Sequence, residues 1–139
     1  MTLQQWAFSF KGRIGRRPFW VGIAVIFILM TAVALLQNVL LFSETLAISL
    51  FILLLYPLAA IFVKRLHDRG KSGGWFALIL LAFALFSIDV SQFEPVWQWG
   101  IGRFLPLFIT MIMVIDCGAF LGMEGVNRYG EETETVDYL

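Results

Sequence analysis

The chain has 139 residues, of which 60% are apolar and 14% are charged, and its formal net charge is zero. Soluble domains average about 45–50% apolar and about 25% charged residues, so a soluble core of this size could not bury the excess apolar surface. The single cysteine, Cys117, excludes an intrachain disulfide and a zinc site built on cysteines. Composition therefore predicts one domain with lipid as its natural solvent.

Four apolar runs follow one another along the chain. The first, 19–42, has no charged residue and is longer than the apolar core of a secretory signal peptide, so we interpret it as a retained spanning helix. Only three residues separate it from the second run, 46–63, which predicts an antiparallel pair. The third run, 75–90, is short for a span, and a re-entrant or interfacial helix is the alternative. The fourth run is 104–121.

Basic residues are concentrated before the first run, between the second and third, and after the fourth. With four spans, every Lys and Arg except Arg103 falls on one side. Because cytoplasmic segments carry the excess of Lys and Arg, both termini are expected in the cytoplasm. The predicted fold is all-α, a polytopic membrane helical bundle with four transmembrane helices in a single domain, 1–139. The acidic tail, 131–139, is expected to be disordered or loosely tethered.

The densest polar stretch lies between the second and third runs and contains the only histidine. Three interpretations are open. As a topological loop, its cations would anchor it in the cytoplasm, with Asp68 paired to Arg65 or Arg69. As a specific site, its Arg residues and Lys71 would bind a phosphate or an anionic lipid. As a catalytic site, His67 would be a base oriented by Asp68, although no nucleophile or metal set accompanies it.

Asp116 is the one acidic residue that falls well inside an apolar run. Ionisable groups within a membrane are costly and often functional, so a proton or cation relay is one interpretation. The other is that Asp116 lies at the cytoplasmic mouth and pairs with Arg or Lys from another segment. The pair Gly118 and Gly122 could let another helix approach closely.

Three separated motifs carry a family resemblance. They are 10–20 (FKGRIGRRPFW), 65–75 (RLHDRGKSGGW) and 125–130 (GVNRYG), called here the first, second and third motif. In order and spacing they resemble the DUF805 family of small bacterial inner-membrane proteins, whose function is uncharacterised. The resemblance implies a helical, polytopic fold in the bacterial inner membrane and no mechanism. The sequence departs from the family pattern at Lys64, where arginine is frequent.

All three motifs fall on the predicted cytoplasmic side, so we expect them to converge into one polar cluster. In this hypothesis arginines from each motif face Asp68, Asn127 and Asp116. The cluster would be either a structural clamp on the four helices or a site for an anionic lipid or a partner protein. The candidate binding residues are Arg13, Arg65, His67, Asp68, Arg69, Lys71, Asn127 and Arg128.

The preferred function is non-enzymatic, a recognition or scaffolding role at the cytoplasmic face of the inner membrane. No cofactor, metal or catalytic residue is expected. Expected partners are the lipid bilayer, with an anionic phospholipid as a candidate ligand, and a second copy or another membrane protein, but not nucleic acid. A small oligomeric transporter or channel-forming subunit is the alternative, and a membrane enzyme acting on lipid headgroups is the third interpretation.

Overall fold

The computed structural model describes residues 1–40 and 43–138, and within these ranges the fold is helical with only isolated β-bridges. A 3₁₀ turn, Gly73–Phe76, precedes α4, and a π-helical segment, Gly100–Phe104, connects α5 to α6. The all-α prediction is confirmed. The helices are α1 (Leu3–Phe8), α2 (Arg16–Leu40), α3 (Glu44–Asp68), α4 (Ala77–Ser87), α5 (Pro95–Trp99) and α6 (Leu105–Gly118).

Within the described ranges, three continuous helical stretches are long and apolar enough to cross a membrane, namely Arg16–Val39, Glu44–Asp68 and Pro95–Gly118. The fourth apolar helix, Gly73–Ser87, is shorter. At ~1.5 Å per α-helical residue and ~2.0 Å per 3₁₀ residue its length is about 24 Å, against a hydrocarbon core of about 30 Å. Length and composition therefore indicate a bundle of membrane-spanning helices.

The helix boundaries differ from the apolar runs. The second run ends at 63, but α3 continues to Asp68, because the polar residues of its last turns are buried against the protein. The fourth helical stretch begins at Pro95, well before the run at 104, so the aromatic-rich segment in between is helical. The predicted end of the first run, Phe42, lies outside the described residues.

Helices α2 and α3 form the antiparallel pair that their short connection predicts. Phe19, near the start of α2, contacts Phe62, near the end of α3, with ring centroids 5.2 Å apart. A Cβ on Gly22 would lie 2.6 Å from Cδ1 of Ile61, so glycine at this position lets the two helices approach closely without displacing that side chain. Helices α4 and α6 form the second pair.

The acidic C-terminal segment is ordered against the N-terminal segment, which differs from the expected loose tail. Thr2 forms a parallel bridge with Asp137, and Ile14 forms another with Glu134. The amide of Glu134 donates to the carbonyl of Arg13 at 3.0 Å. The acidic composition of this segment predicted a solvated tail. Composition could not show its pairing partners, because they lie at the other end of the sequence. Both termini therefore lie at the same end of the bundle.

Candidate functional site

Asp68, the last residue of α3, is the centre of a buried polar cluster. Its carboxylate accepts hydrogen bonds from Arg13 Nε at 3.2 Å, from Thr133 Oγ1 at 2.7 Å and from Arg65 Nη1. Arg65 lies three residues earlier on the same helix, which places both side chains on one face. Arg13, Arg65 and Asp68 are each 1% exposed, and we call them the Arg–Asp–Arg triad. Burial of these charges is tolerated because each is paired.

Arg13 connects the first motif to the third. Its Nη1 donates to the carbonyl of Gly125 at 2.6 Å and, at 3.4 and 3.3 Å, to those of Gly130 and Glu131. Its Nη2 donates to the carbonyl of Met123. Since Nε is bound to the carboxylate of the triad, every nitrogen of this guanidinium has a partner within the protein.

Arg65 connects the second motif to the end of α6. Its Nε donates to the carbonyl of Cys117 at 2.6 Å, and its Nη2 donates to that of Phe120 at 2.6 Å. Its Nη1 reaches the carbonyl of Ile14 at 3.2 Å in addition to Asp68. The last carbonyls of a helix have no partner within the helix, so this cation satisfies groups that would otherwise be unpaired. All three nitrogens are again in use.

Lys64 is a third buried cation that the sequence analysis did not include among the site residues. It is 0% exposed, and its ammonium donates to the carbonyls of Gln5 at 3.1 Å, Trp6 at 2.6 Å and Ser9 at 2.5 Å. An ammonium has three donors, so this group is saturated too. Lys64 thereby fixes the C-terminal end of α1 to α3. In the sequence, Lys64 is recognisable as a cation that directly follows an apolar run. The sequence analysis used it only as evidence for the topology.

Asp116 forms a separate, partly exposed cluster. It accepts from Arg69 Nη2 at 3.3 Å and from Lys71 Nζ at 2.8 Å. Arg69 also donates to the carbonyl of Leu121 at 2.6 Å. The side chains of this cluster are 19–38% exposed, unlike the triad. The arrangement favours the interpretation in which Asp116 pairs with cations from another segment over a relay role.

His67, Asn127 and Arg128 lie around Tyr129 rather than in the triad. The His67 ring is stacked on that of Tyr129, with centroids 3.9 Å apart and planes within 5°. The Asn127 amide donates to the carbonyl of His67 at 2.9 Å. The guanidinium of Arg128 lies 4.7 Å from the Tyr129 ring, so the hypothesis that it faces Asp68 is not supported. A cation–π contact with its own neighbour holds it instead.

A catalytic pair of His67 and Asp68 is not formed. Both oxygens of Asp68 already accept hydrogen bonds, from the two arginines of the triad and from Thr133. The Nδ1 atom of His67 is buried and has no hydrogen-bond partner among residues 1–40 and 43–138. Within the same ranges there is no group of three or more His, Cys, Asp or Glu residues that could hold a metal ion.

Gly118 and Gly122 make room for side chains from two other helices, Trp20 of α2 and Asp68 of α3. The indole N–H of Trp20 donates to the carbonyl of Gly118 at 3.1 Å, and its ring lies where a Cβ on that glycine would be. A Cβ on Gly122 would overlap the carboxylate of Asp68. Gly122 therefore provides the space that the triad needs.

Together these features define a bundle of membrane-spanning helices that is closed at one end by buried, fully paired cations. The chain matches the family described as "Protein of unknown function (DUF805)" over residues 7–131. It is 47% identical over 138 residues to the "Uncharacterized protein YiiR" of Escherichia coli strain K12, covering 99% of this chain and 94% of that protein. The match to the protein of the same name in Escherichia coli O157:H7 is the same. No solved structure matches this chain. The chain belongs to the DUF805 family, and the resemblance of its motifs is confirmed.

Proposed function

We propose that the protein is a non-enzymatic, four-span protein of the bacterial inner membrane with both termini in the cytoplasm. In this proposal the Arg–Asp–Arg triad is a structural clamp that closes the cytoplasmic end of the bundle and holds the surface around it in one shape. The observation that carries the proposal is the saturation of the triad, whose members are each 1% exposed. Its two guanidiniums donate to backbone carbonyls and to Asp68, and Asp68 accepts from both. A cluster that binds a ligand has to present free donors to it.

Contact between the chain ends supports the four-span topology. Thr2 is bridged to Asp137, so both ends lie on one side of the bundle. An even number of crossings is then required, and the three long spans need the shorter helix, Gly73–Ser87, as a fourth. A locally thinned bilayer accommodates a short span at modest cost. The excess of Lys and Arg at this end supports its location in the cytoplasm.

The opposite end of the bundle carries the remaining cation. The guanidinium of Arg103 lies 4.6 Å from the ring of Phe86, and Trp97 and Trp99 are exposed nearby in α5. Aromatic rings beside a long cationic side chain are typical of the boundary between hydrocarbon and headgroups. This composition suits the outer face of the inner membrane.

The clamp is tested by comparing Arg65→Ala with Lys11→Ala, which removes an exposed cation from the first motif. We expect Arg65→Ala to lose about 3–5 kcal/mol of stability, because it leaves a buried carboxylate and several carbonyls without donors. Thermal unfolding of the detergent-purified proteins measures this. Arg65→Lys, which keeps the charge but has fewer donors, should fall between the two.

The clamp would be disproved by equal unfolding temperatures for Arg65→Ala and Lys11→Ala. If Arg65→Ala does not accumulate in membranes at all, the comparison moves to Arg65→Lys. This variant must then unfold below Lys11→Ala for the proposal to stand.

A further inference from the structure

The α2–α3 pair and the α4–α6 pair enclose a cavity of about 530 Å³. Its floor includes Ile26, Leu58 and Ile79, which are 3–8% exposed. Its mouth includes Phe27 and Leu107, which are 70% and 64% exposed. Because these exposed residues lie midway along the continuous helical stretches Arg16–Val39 and Pro95–Gly118, the cavity opens sideways, toward the hydrocarbon of a surrounding bilayer.

The lining of this cavity is apolar. Thr110 is the one polar side chain that the described residues contribute, and its hydroxyl already donates to the carbonyl of Pro106 at 2.9 Å. An apolar cavity without free polar groups does not hold ordered water. An acyl chain has the matching chemistry and is available in any bilayer.

Between this cavity and the end that carries the triad, α2 contacts α6. On α2, Arg16, Trp20, Ile23 and Phe27 recur at intervals of three and four residues, so they lie on one face. Trp20 contacts α6 through its hydrogen bond to Gly118. We call this face and the α6 residues opposite it the α2/α6 seam. It carries cations at one end, an indole next, and the apolar cavity beyond.

A second, open cavity of about 480 Å³ lies at the cationic end of the seam. It is lined by Arg16, Arg17, Trp20, Val21 and Gly118. In the part of the chain that the structure describes, neither arginine pairs with a carboxylate, and Arg16 donates only to the carbonyl of Ala119 at 3.3 Å. These guanidiniums therefore keep the free donors that the triad lacks. Forked N–H donors match the oxygens of a phosphate.

We propose that the α2/α6 seam binds an anionic glycerophospholipid, with its phosphate on Arg16 and Arg17 and one acyl chain in the 530 Å³ cavity. The proposal rests on the proposed function, which places this end of the bundle in the cytoplasmic headgroup layer. At ~1.5 Å per residue, Ile23 and Phe27 lie about 10 to 16 Å from Arg16 along the helix, where an acyl chain extends below its headgroup. Trp20 lies between, at the depth that indole rings favour.

This site differs from the anionic-lipid site that the sequence predicted. That site would use Arg65, Arg69 and Lys71. The first belongs to the saturated triad, and the other two pair with Asp116. Arg16 and Arg17 of the first motif, in contrast, line an open cavity and pair with no carboxylate in the described part of the chain.

The test is native mass spectrometry of protein reconstituted in vesicles of phosphatidylcholine and phosphatidylglycerol and then released into detergent. We expect wild type to retain phosphatidylglycerol, and the double variant Arg16→Gln, Arg17→Gln to bind it about tenfold or more weakly, since it loses charge-assisted hydrogen bonds.

Ala82→Leu, which adds volume at the cavity floor, should also lower retention while keeping both charges. Lys11→Gln, Arg128→Gln removes two cations at the same end outside the seam and should bind as wild type does.

Equal retention in wild type and in the Arg16, Arg17 double variant would overturn the seam proposal. An equal loss of phosphatidylglycerol in the Lys11, Arg128 variant would overturn the proposal as well, because it would show that the lipid is attracted by any cation at this end of the bundle. Retention of phosphatidylcholine to the same extent as phosphatidylglycerol would mean an adventitious lipid. Stability after Arg65→Ala reports on the clamp and lipid retention reports on the seam, so the two proposals fail separately.

Discussion

Asp68 can carry its charge inside the protein because the chain around it supplies both donors and space. The donors come from Arg13, Arg65 and Thr133. Arg65 is close to Asp68 in the sequence, whereas Arg13 and Thr133 are far from it. The space comes from Gly122, where a Cβ would overlap the carboxylate. Since desolvation offsets much of the attraction within a buried ion pair, the main effect of the triad is to determine which segments meet.

Gly122→Ala should lower the free energy of unfolding by about 1–3 kcal/mol, because its methyl group must displace the Asp68 carboxylate from its donors. Gly100→Ala is the matched control, since a Cβ there meets no atom within 4 Å. Alanine is the better helix former, so the control should be neutral or slightly stabilised. Thermal unfolding in detergent measures both, and equal stability of the two variants would contradict the proposed role of Gly122.

At the scale of elements, the N-terminal segment, the end of α3 and the C-terminal segment form one unit. Lys64 fixes α1 to α3, and the triad fixes α3 to the third motif. The C-terminal segment then completes the unit through its bridges to Thr2 and Ile14. Each of these segments is too short to be stable by itself, so their order depends on their mutual contacts.

Hydrogen exchange should show this order in the acidic segment. The amides of Glu134 and Asp137 donate at 3.0 Å to the carbonyls of Arg13 and Met1, so we expect them to exchange more slowly than in an unfolded chain. Nuclear magnetic resonance of the protein in detergent micelles provides the residue-level rates. Thr133→Val, which removes the hydrogen bond to Asp68, should reduce the protection, whereas Thr135→Val, two residues on, should change it less. Exchange of both amides at the unfolded rate would show that the segment is not docked.

At the scale of the whole molecule, the crossing of the short helix decides the topology. In the proposed orientation, if Gly73–Ser87 crosses, residue 91 lies outside and residue 131 lies in the cytoplasm. If it does not cross, the two positions exchange sides. The native Cys117 is fully buried, so it offers a weak background for thiol labelling.

A membrane-impermeant maleimide should label Ser91→Cys in intact spheroplasts and should label Glu131→Cys only after permeabilisation. Both positions are exposed in the structure, so the difference in labelling reports the side of the membrane. Ser72→Cys is the control, because in the proposed orientation the loop after α3 is cytoplasmic with either three or four spans. The reverse pattern at 91 and 131, with Ser72→Cys labelled only after permeabilisation, would rule out four spans.

The sequence by itself determined the class of this protein and its motif positions. Long apolar runs indicate spanning helices because a backbone in lipid must satisfy its hydrogen bonds within the segment. The sequence also predicted that Asp68 pairs with Arg65 or Arg69, and the structure pairs it with Arg65, three residues earlier on the same helix. These features depend on residues that are close together in the chain.

Only the tertiary structure decided how distant segments meet. It brought Arg13 and Thr133 to Asp68, extended α3 through its polar end, and turned Arg128 away toward Tyr129. Composition cannot distinguish a saturated cation from a free one, because the difference depends on which carbonyls lie within reach. For the same reason one interpretation of the sequence placed anion binding in the second motif, whereas the structure leaves the guanidiniums of Arg16 and Arg17 available beside the α2/α6 seam.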